Sequence, residues 1–421
     1  MVIEIIVTHD IVFLYLMIMD LNKINLEEFK TIFKYIVDNN KKLIAEGKMP
    51  TAVSLEADAG IGKTSTILQI AKELNMDFVK LNLSQCEELG DLIGFPIKEY
   101  YVCNDEGECE WVSSDLLAYY LQNGYKVQNL TRMSYAPPTW MPTESNDRGC
   151  ILLLDDYSRA MPMFLQATME LIDRGEYISW KLPKNCTIVL TSNPDNGDYN
   201  VSTMDNAQKT RYINFEIDFD IDVWARWAEQ EKLDSRAINF ALLYPEIFEK
   251  ENDVQKVNPR SYVTFCNAIS GLSDWSSTEN LAMILNIAKG CFTSKENVVG
   301  NLFTIFVNNK LDKLIPPKDI LFEPWDTVKA KIKSCVYDGT NYRPDIASVL
   351  ATRLLNYSVL YFETKGAKTE VVQNRLLDFI NSDEMLLTED LLFNIIKTIT
   401  TKFSSRANKL LMNPKIRVKL M

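Results

Sequence analysis

The chain has 421 residues, 47% of them hydrophobic and 24% charged, which excludes a disordered or low-complexity protein. At about 100–200 residues per domain, the length accommodates two to four domains. Its 45 basic residues stand against 57 acidic ones, a net charge of −12, which speaks against broad, non-specific binding to nucleic acid or to anionic membrane.

A single histidine, His9, leaves almost no material for a histidine metal site or for Ser-His and Cys-His catalysis. The eight cysteines at 86, 103, 109, 150, 186, 266, 291 and 335 form no C-x-x-C pair. They read as reduced thiols of a cytoplasmic protein, not as a zinc ribbon or a disulfide framework. The apolar run IVFLYLMIM at 11–19 falls short of the about 20 residues a membrane span needs. It also lacks the basic region and cleavage site of a signal peptide. A buried strand and a non-native extension ahead of Met19 both remain open, so residues 1–24 are an N-terminal segment of uncertain role.

From Asn25 to Ala45, Leu26, Phe29, Ile32, Phe33, Ile36 and Val37 keep a helical period. A short β-type run, AVSLEA at 52–57, then ends in a glycine-rich turn. Ile67, Leu68, Ile70, Ala71 and Leu74 resume helical spacing directly after it. Strand, glycine turn and helix open a βαβ unit. Further strands are expected at 78–84, 150–155, 186–192 and 212–218, and the continuous apolar run Ile151–Leu154 suits a parallel sheet covered on both faces. Past Asp218 the pattern turns helical, at 222–250, 260–271 and 279–308. Pro316 and Pro317 mark a boundary, and a further helical module runs to Met421, with 386–399 its clearest amphipathic stretch.

The sharpest motif is Ala57-Asp58-Ala59-Gly60-Ile61-Gly62-Lys63-Thr64, followed by Ser65. It fits G-x-x-x-x-G-K-[ST] except for Ala57 at the first glycine. Gly60 and Gly62 allow backbone N–H groups to turn inward, and the helix N-terminus behind them adds about +0.5 charge. Lys63 is placed for β- and γ-phosphates and Thr64 for Mg²⁺. Ala57 is compatible with such a turn only at negative φ. The apolar strand Cys150–Asp155 ends in two acids, Asp155 to hold the metal and Asp156 to polarise the attacking water.

LLLDDYSRA at 152–160 resembles the LLxDExNRA segment of MoxR-type AAA+ ATPases. Thr191-Ser192-Asn193-Pro194 is similar to the sensor-1 strand end of that family. Asn193-Pro-x-x-Gly197-x-Tyr199 with Asp205-x-Ala207-x-x-x-Arg211-Tyr212 resembles its run to the arginine finger, and Asn258-Pro259-Arg260-Ser261 its sensor-2 start. The resemblance covers about residues 25–305. It implies an α/β fold with an αβα P-loop core on a parallel five-stranded sheet (25–220), a helical lid (221–310) and a C-terminal helical extension with a basic tail (311–421). It also implies a helix-2 insert at about 95–148, inside which Tyr100–Val112 reads as a β-hairpin with a four-residue turn, and a second hairpin at Glu176–Leu190. Asp156, Asn193, Arg211 and Arg260 take the catalytic roles, residues 57–65 hold ATP, and Thr64 with Asp155 holds Mg²⁺.

By that resemblance the protein is an ATPase working as a homo-oligomeric, hexameric ring, with nucleotide between core and lid and Arg211 reaching the neighbouring subunit's site. Its output is remodelling or activation of a protein partner, such as a von Willebrand A-type protein. Asp156 departs from the family's Glu and Ser158 from its Asn, while Arg159 stays in register. Two other readings stay open: a nucleotide-binding ring that hydrolyses weakly, and a nucleic-acid motor using GTP or ATP. The insert carries four cations (Lys98, Lys126, Arg132, Arg148) against eight acids, where a pore gripping phosphates calls for a basic lining. At the C-terminus six cations and no acid fall in 401–421. They belong either to a helix anchored by Leu410, Leu411 and Met412 or to a tail that docks on an acidic partner.

Overall fold

The computed structural model describes residues 23–416 apart from 143–147, 196–198, 203, 249–256, 293–295, 310, 312–313, 364–365 and 367. The readings for His9, the apolar run 11–19, Gly197, Arg417 and Lys419 fall outside the described residues. Among the described residues no helix is long and apolar enough to cross a membrane. The chain divides into two compact units, one ending at Asp218 and the other starting at Phe219.

The first unit is an α/β sandwich. After β1 (Lys23–Ile24), α1 (Leu26–Ala45) starts on an Asn25–Glu28 capping box, which satisfies orphan N–H groups at the helix start. Phe29 and Phe33 stack at 5.5 Å and lie on the sheet with no exposed surface. The buried Asn40 side chain accepts from Thr51 N–H and donates to Thr51 O and to Thr187 Oγ1, locking α1 onto the sheet. β2 (Ala52–Glu56), α2 (Lys63–Glu73) and β3 (Asp77–Asn82) follow, the last giving way to a 3₁₀ turn at Leu83–Gln85.

The insert comprises α3 (Leu89–Ile93), β4 (Phe95–Cys103), β5 (Cys109–Ser113), α4 (Ser114–Gln122) and β6 (Lys126–Ala136). It is more than the expected hairpin: β6 adds a third antiparallel strand on the other side of β4, and the turn runs over five residues, 104–108. The register sets Cys103 opposite Cys109 with Cα atoms 4.1 Å apart, and the two form a disulfide. This corrects the expectation of reduced thiols throughout; the remaining described cysteines are free. The base of the insert is tight. Gly94 has φ +86°, and a Cβ there would lie 1.7 Å from the Ala136 carbonyl oxygen, so only glycine fits.

β7 (Cys150–Asp155) and α5 (Pro162–Arg174) return to the core, followed by a small hairpin of β8 (Glu176–Tyr177) and β9 (Trp180–Lys181). The hairpin is shorter than expected, because 186–192 belongs to the main sheet. It has a packing role: its Trp180 donates from Nε1 to Ile93 O and packs edge-on against Trp140, whose Nε1 donates to Asp91 O, both bonds at 2.9 Å, and the two indoles pin the base of the insert. β10 (Cys186–Ser192), α6 (Asn206–Lys209) and β11 (Tyr212–Ile217) complete the unit. The main sheet is parallel, in the order β1-β11-β2-β10-β7-β3. It has six strands where five were expected, the extra one being the two-residue β1 beside β11.

The second unit is helical apart from a short antiparallel hairpin of Tyr337–Asp338 with Asn341–Tyr342: α7 (Ile221–Gln230), α8 (Ser235–Leu243), α9 (Pro259–Ile269), α10 (Thr278–Cys291), α11 (Glu296–Asn308), α12 (Pro317–Phe322), α13 (Trp325–Val336), α14 (Pro344–Glu363), α15 (Lys368–Asn381), α16 (Glu389–Lys402) and α17 (Asn408–Met412). The expected helix at 222–250 breaks where Lys232 adopts φ +59°. That at 279–308 is divided between α10 and α11. One apolar core continues from Trp224 to Ile416, across Pro316 and Pro317, and Pro317 opens α12, where its missing N–H costs nothing.

Inside that core Arg353, 1% exposed, donates to Glu229 Oε1 (2.8 Å), Asn239 Oδ1 (2.7 Å) and Ser235 Oγ (2.7 Å). A buried pair is most costly when one partner is removed. Glu229→Ala is therefore expected to destabilise the protein by about 3–5 kcal/mol in urea unfolding, whereas replacing both partners by apolar residues should cost far less. Toward the C-terminus Lys409 pairs with Glu370 at 2.6 Å, Lys402 lies 3.8 Å from Glu363, and Arg406 donates to the carbonyls of Phe362 and Glu363. Leu410 and Ile416 are buried anchors, but Met412 is 73% exposed and anchors nothing.

Candidate phosphate-binding site

The turn between β2 and α2 has the backbone its glycines permit, with Gly60 at φ +78° and Gly62 at φ +110°. Gly62 is the N-cap of α2 and adopts the left-handed conformation there. Ala57 is absent from the positive-φ residues and extends the strand, donating its N–H to Ser192 O at 3.2 Å. Alanine at the first motif position is therefore compatible with the turn. Just before it Glu56 faces Glu216 on β11. Burial first, and then Glu216, push the Glu56 carboxyl above its ordinary range.

Lys63 lies back along the turn. Its ammonium donates to Ala57 O (2.6 Å), Asp58 O (3.1 Å) and Asn193 Oδ1 (2.9 Å). The third contact ties the turn to the end of β10, where Asn193 is buried and donates its own N–H to Ser158 Oγ at 3.1 Å. Thr64 Oγ1 donates to Asp155 Oδ1 at 3.0 Å, and Thr191 Oγ1 donates to the same oxygen at 2.6 Å. Lys80 Nζ lies 2.6 Å from Asp155 Oδ2. Burial pushes the Asp155 carboxyl up, but Lys80, Thr191 and Thr64 together outweigh it and hold the group below its ordinary range.

Asp156 is one of few non-glycine residues at positive φ (+53°, ψ +37°), and its N–H donates to Thr191 Oγ1 at 3.2 Å. Aspartate tolerates this conformation better than most residues. Tyr199 reaches the turn as well, its hydroxyl accepting from Ala59 N–H and donating to Asp58 Oδ1, each at 3.2 Å.

The structure thus gathers Ala57 to Thr64, Asp155, Asp156 and Asn193 at one end of β2, β7 and β10. Arg211, at the start of β11, bonds within its own chain: Nε donates to Asp173 Oδ2 at 2.6 Å, and a second nitrogen to Ala207 O. Arg260 belongs to the second unit, exposed near the start of α9, where the Asn258 side chain accepts its N–H. Lys80 lay outside every motif, and Thr191 and Ser158 were given no contact of their own by the motifs that contain them. Thr191 orients Asp155, Ser158 holds Asn193, and Lys80 pairs with Asp155.

No protein-family model matches the chain, and no curated protein matches it. Solved structures similar to it include the Thermotoga maritima RuvB Holliday junction branch migration motor, at 15% identity over 64% of this chain and 73% of that one, with a TM-score of 0.35. A variant of the same motor aligns over 75% of this chain and 92% of that one, at 13% identity and a TM-score of 0.36. At that level the likeness adds nothing to the geometry.

Proposed function

We propose that the chain is a P-loop ATPase of AAA+ type that binds ATP with Mg²⁺. The observation that supports this best is the Thr64–Asp155 hydrogen bond of 3.0 Å, which joins the glycine turn to the acid at the end of β7. The donor set fits the metal. Among the described residues no three His, Cys, Asp or Glu side chains cluster as a cage. One carboxylate and one hydroxyl suit an ion that takes its remaining oxygens from phosphate and water. Thr64 and Asp155 would hold it, and it would supply charge neutralisation at the phosphates.

In this reading the N–H groups of 60–65 cradle phosphate and Lys63 exchanges its carbonyl partners for phosphate oxygens. Asn193 and Asp156 orient and polarise water, and Arg260 takes the second-sensor role that the family resemblance gives it. The finer assignment is of MoxR type: a hexameric ring with Arg211 acting on the next subunit, cytoplasmic, remodelling a protein partner such as a von Willebrand A-type protein. The acidity of the insert favours a protein partner over nucleic acid. The left-handed Asp156, one methylene shorter than glutamate, favours slow turnover, so the weakly hydrolysing ring is the second reading.

The test is Asp156→Asn. Asparagine accepts the same left-handed backbone and removes only the charge. ATP binding should persist while turnover falls by about 10² or more. Hydrolysis at the wild-type rate would remove Asp156 from the mechanism. Absence of both ATP binding and hydrolysis in the wild type would remove the whole reading. The same variant, trapped with nucleotide, is the bait of choice for recovering a protein partner.

A further inference from the structure

Lys80 sits on β3, the edge strand of the main sheet, where a lysine ordinarily protects an edge by standing in water. Its ammonium does something else: it lies 2.6 Å from Oδ2 of Asp155, a carboxylate whose side chain is only 9% exposed. The register explains the reach. Asn82 is opposite Asp155 and Lys80 opposite Leu153, so Lys80 is a diagonal neighbour of Asp155 on the same face. The other carboxylate oxygen is taken by the hydroxyls of Thr64 and Thr191. The two lysines of the site therefore divide its acceptors, Lys63 on the carbonyls of the turn and Asn193, Lys80 on the acid.

We propose that Lys80 is a positioning residue and built-in counter-cation of the phosphate site, neutralising Asp155 so that the turn accepts nucleotide phosphates even without a divalent metal. This rests on the P-loop reading above. Asp155 is joined to the turn through Thr64, so its charge stands beside whatever phosphate the turn holds. A bare carboxylate there repels phosphate. Paired with Lys80 it does not, and a divalent ion then has less repulsion to remove. The consequence is a shallow dependence of nucleotide binding on metal, set by a residue outside the motif.

The experiment is equilibrium titration of the full chain with a fluorescent ATP analogue, in Mg²⁺ and in EDTA. Wild type, Lys80→Gln, Lys80→Arg and Lys80→Gln/Asp155→Asn are compared. Glutamine keeps a polar donor at this half-exposed position and removes the charge. On moving from Mg²⁺ to EDTA the wild type should weaken only a few-fold, and Lys80→Gln should weaken by about tenfold more than that. Lys80→Arg should match the wild type. The double variant should lose the excess metal dependence, because no carboxylate remains to neutralise. An equal Mg²⁺/EDTA ratio in wild type and Lys80→Gln overturns the inference while leaving the P-loop reading in place. Absence of binding by the wild type in both buffers overturns both.

Discussion

Replacing Lys63 by alanine is expected to remove ATP binding, with a loss of about 10² or more in affinity, while the protein still folds. The ammonium supplies the one side-chain charge that the glycine turn itself offers to phosphate, and backbone N–H groups alone hold an anion far less tightly. The variant also loses three hydrogen bonds, to Ala57 O, Asp58 O and Asn193 Oδ1. Phosphate binding is the one part that the motif assigns to Lys63. The structure gives it a second, as a link between the turn and β10. A stability loss of about 1–3 kcal/mol is therefore expected as well, visible in urea unfolding without nucleotide. Titration with ATP decides the matter. Near-wild-type affinity in a folded Lys63→Ala protein would show that the turn is not a phosphate site.

The centre of the main sheet was legible because its strands are short apolar runs closed by polar turns. Cys150–Asp155 and Cys186–Ser192 are buried at every position, so their composition alone announced central parallel strands. What escaped had physical reasons. β6 is exposed from Lys126 to Met133 and carries no period-2 alternation to betray it. β1 has two residues, below any pattern. The break at Lys232 rests on one left-handed residue whose type does not advertise it. The Cys103–Cys109 pair hung on one residue of turn length. A four-residue turn at 104–107 sets Cys103 opposite Glu108, and only the five-residue turn at 104–108 sets it opposite Cys109. At the site the glycine turn, Asp155, Asp156 and Asn193 lie together, while Arg211 bonds to Asp173 and Arg260 belongs to the second unit. Lys80 did not declare itself, since a lone lysine on an edge strand has a common and sufficient explanation in solubility.

On the ring proposed for this protein, with Arg211 as its arginine finger, Arg211→Ala is expected to reduce turnover by about 10³–10⁵ and to leave nucleotide binding largely intact, because a finger acts on charge that develops only during phosphoryl transfer. In the single chain Arg211 is held by Asp173 and by the carbonyl of Ala207, with a quarter of its side chain exposed. Acting on a neighbouring subunit requires it to leave Asp173, and a partly exposed ion pair of this kind is worth only about 1 kcal/mol or less, so the exchange is inexpensive. Two comparisons separate a finger from a residue that merely braces β11 against α5. In Asp173→Ala the arginine is released but kept, so turnover should be retained or raised. A bracing role would make this variant as inactive as Arg211→Ala. In rings mixed from Arg211→Ala and Lys63→Ala subunits, some interfaces combine an intact phosphate turn with an intact arginine, so part of the activity should return. Mixed rings that stay inactive, although both variants assemble, would mean that Arg211 acts within its own subunit or has no part in the reaction.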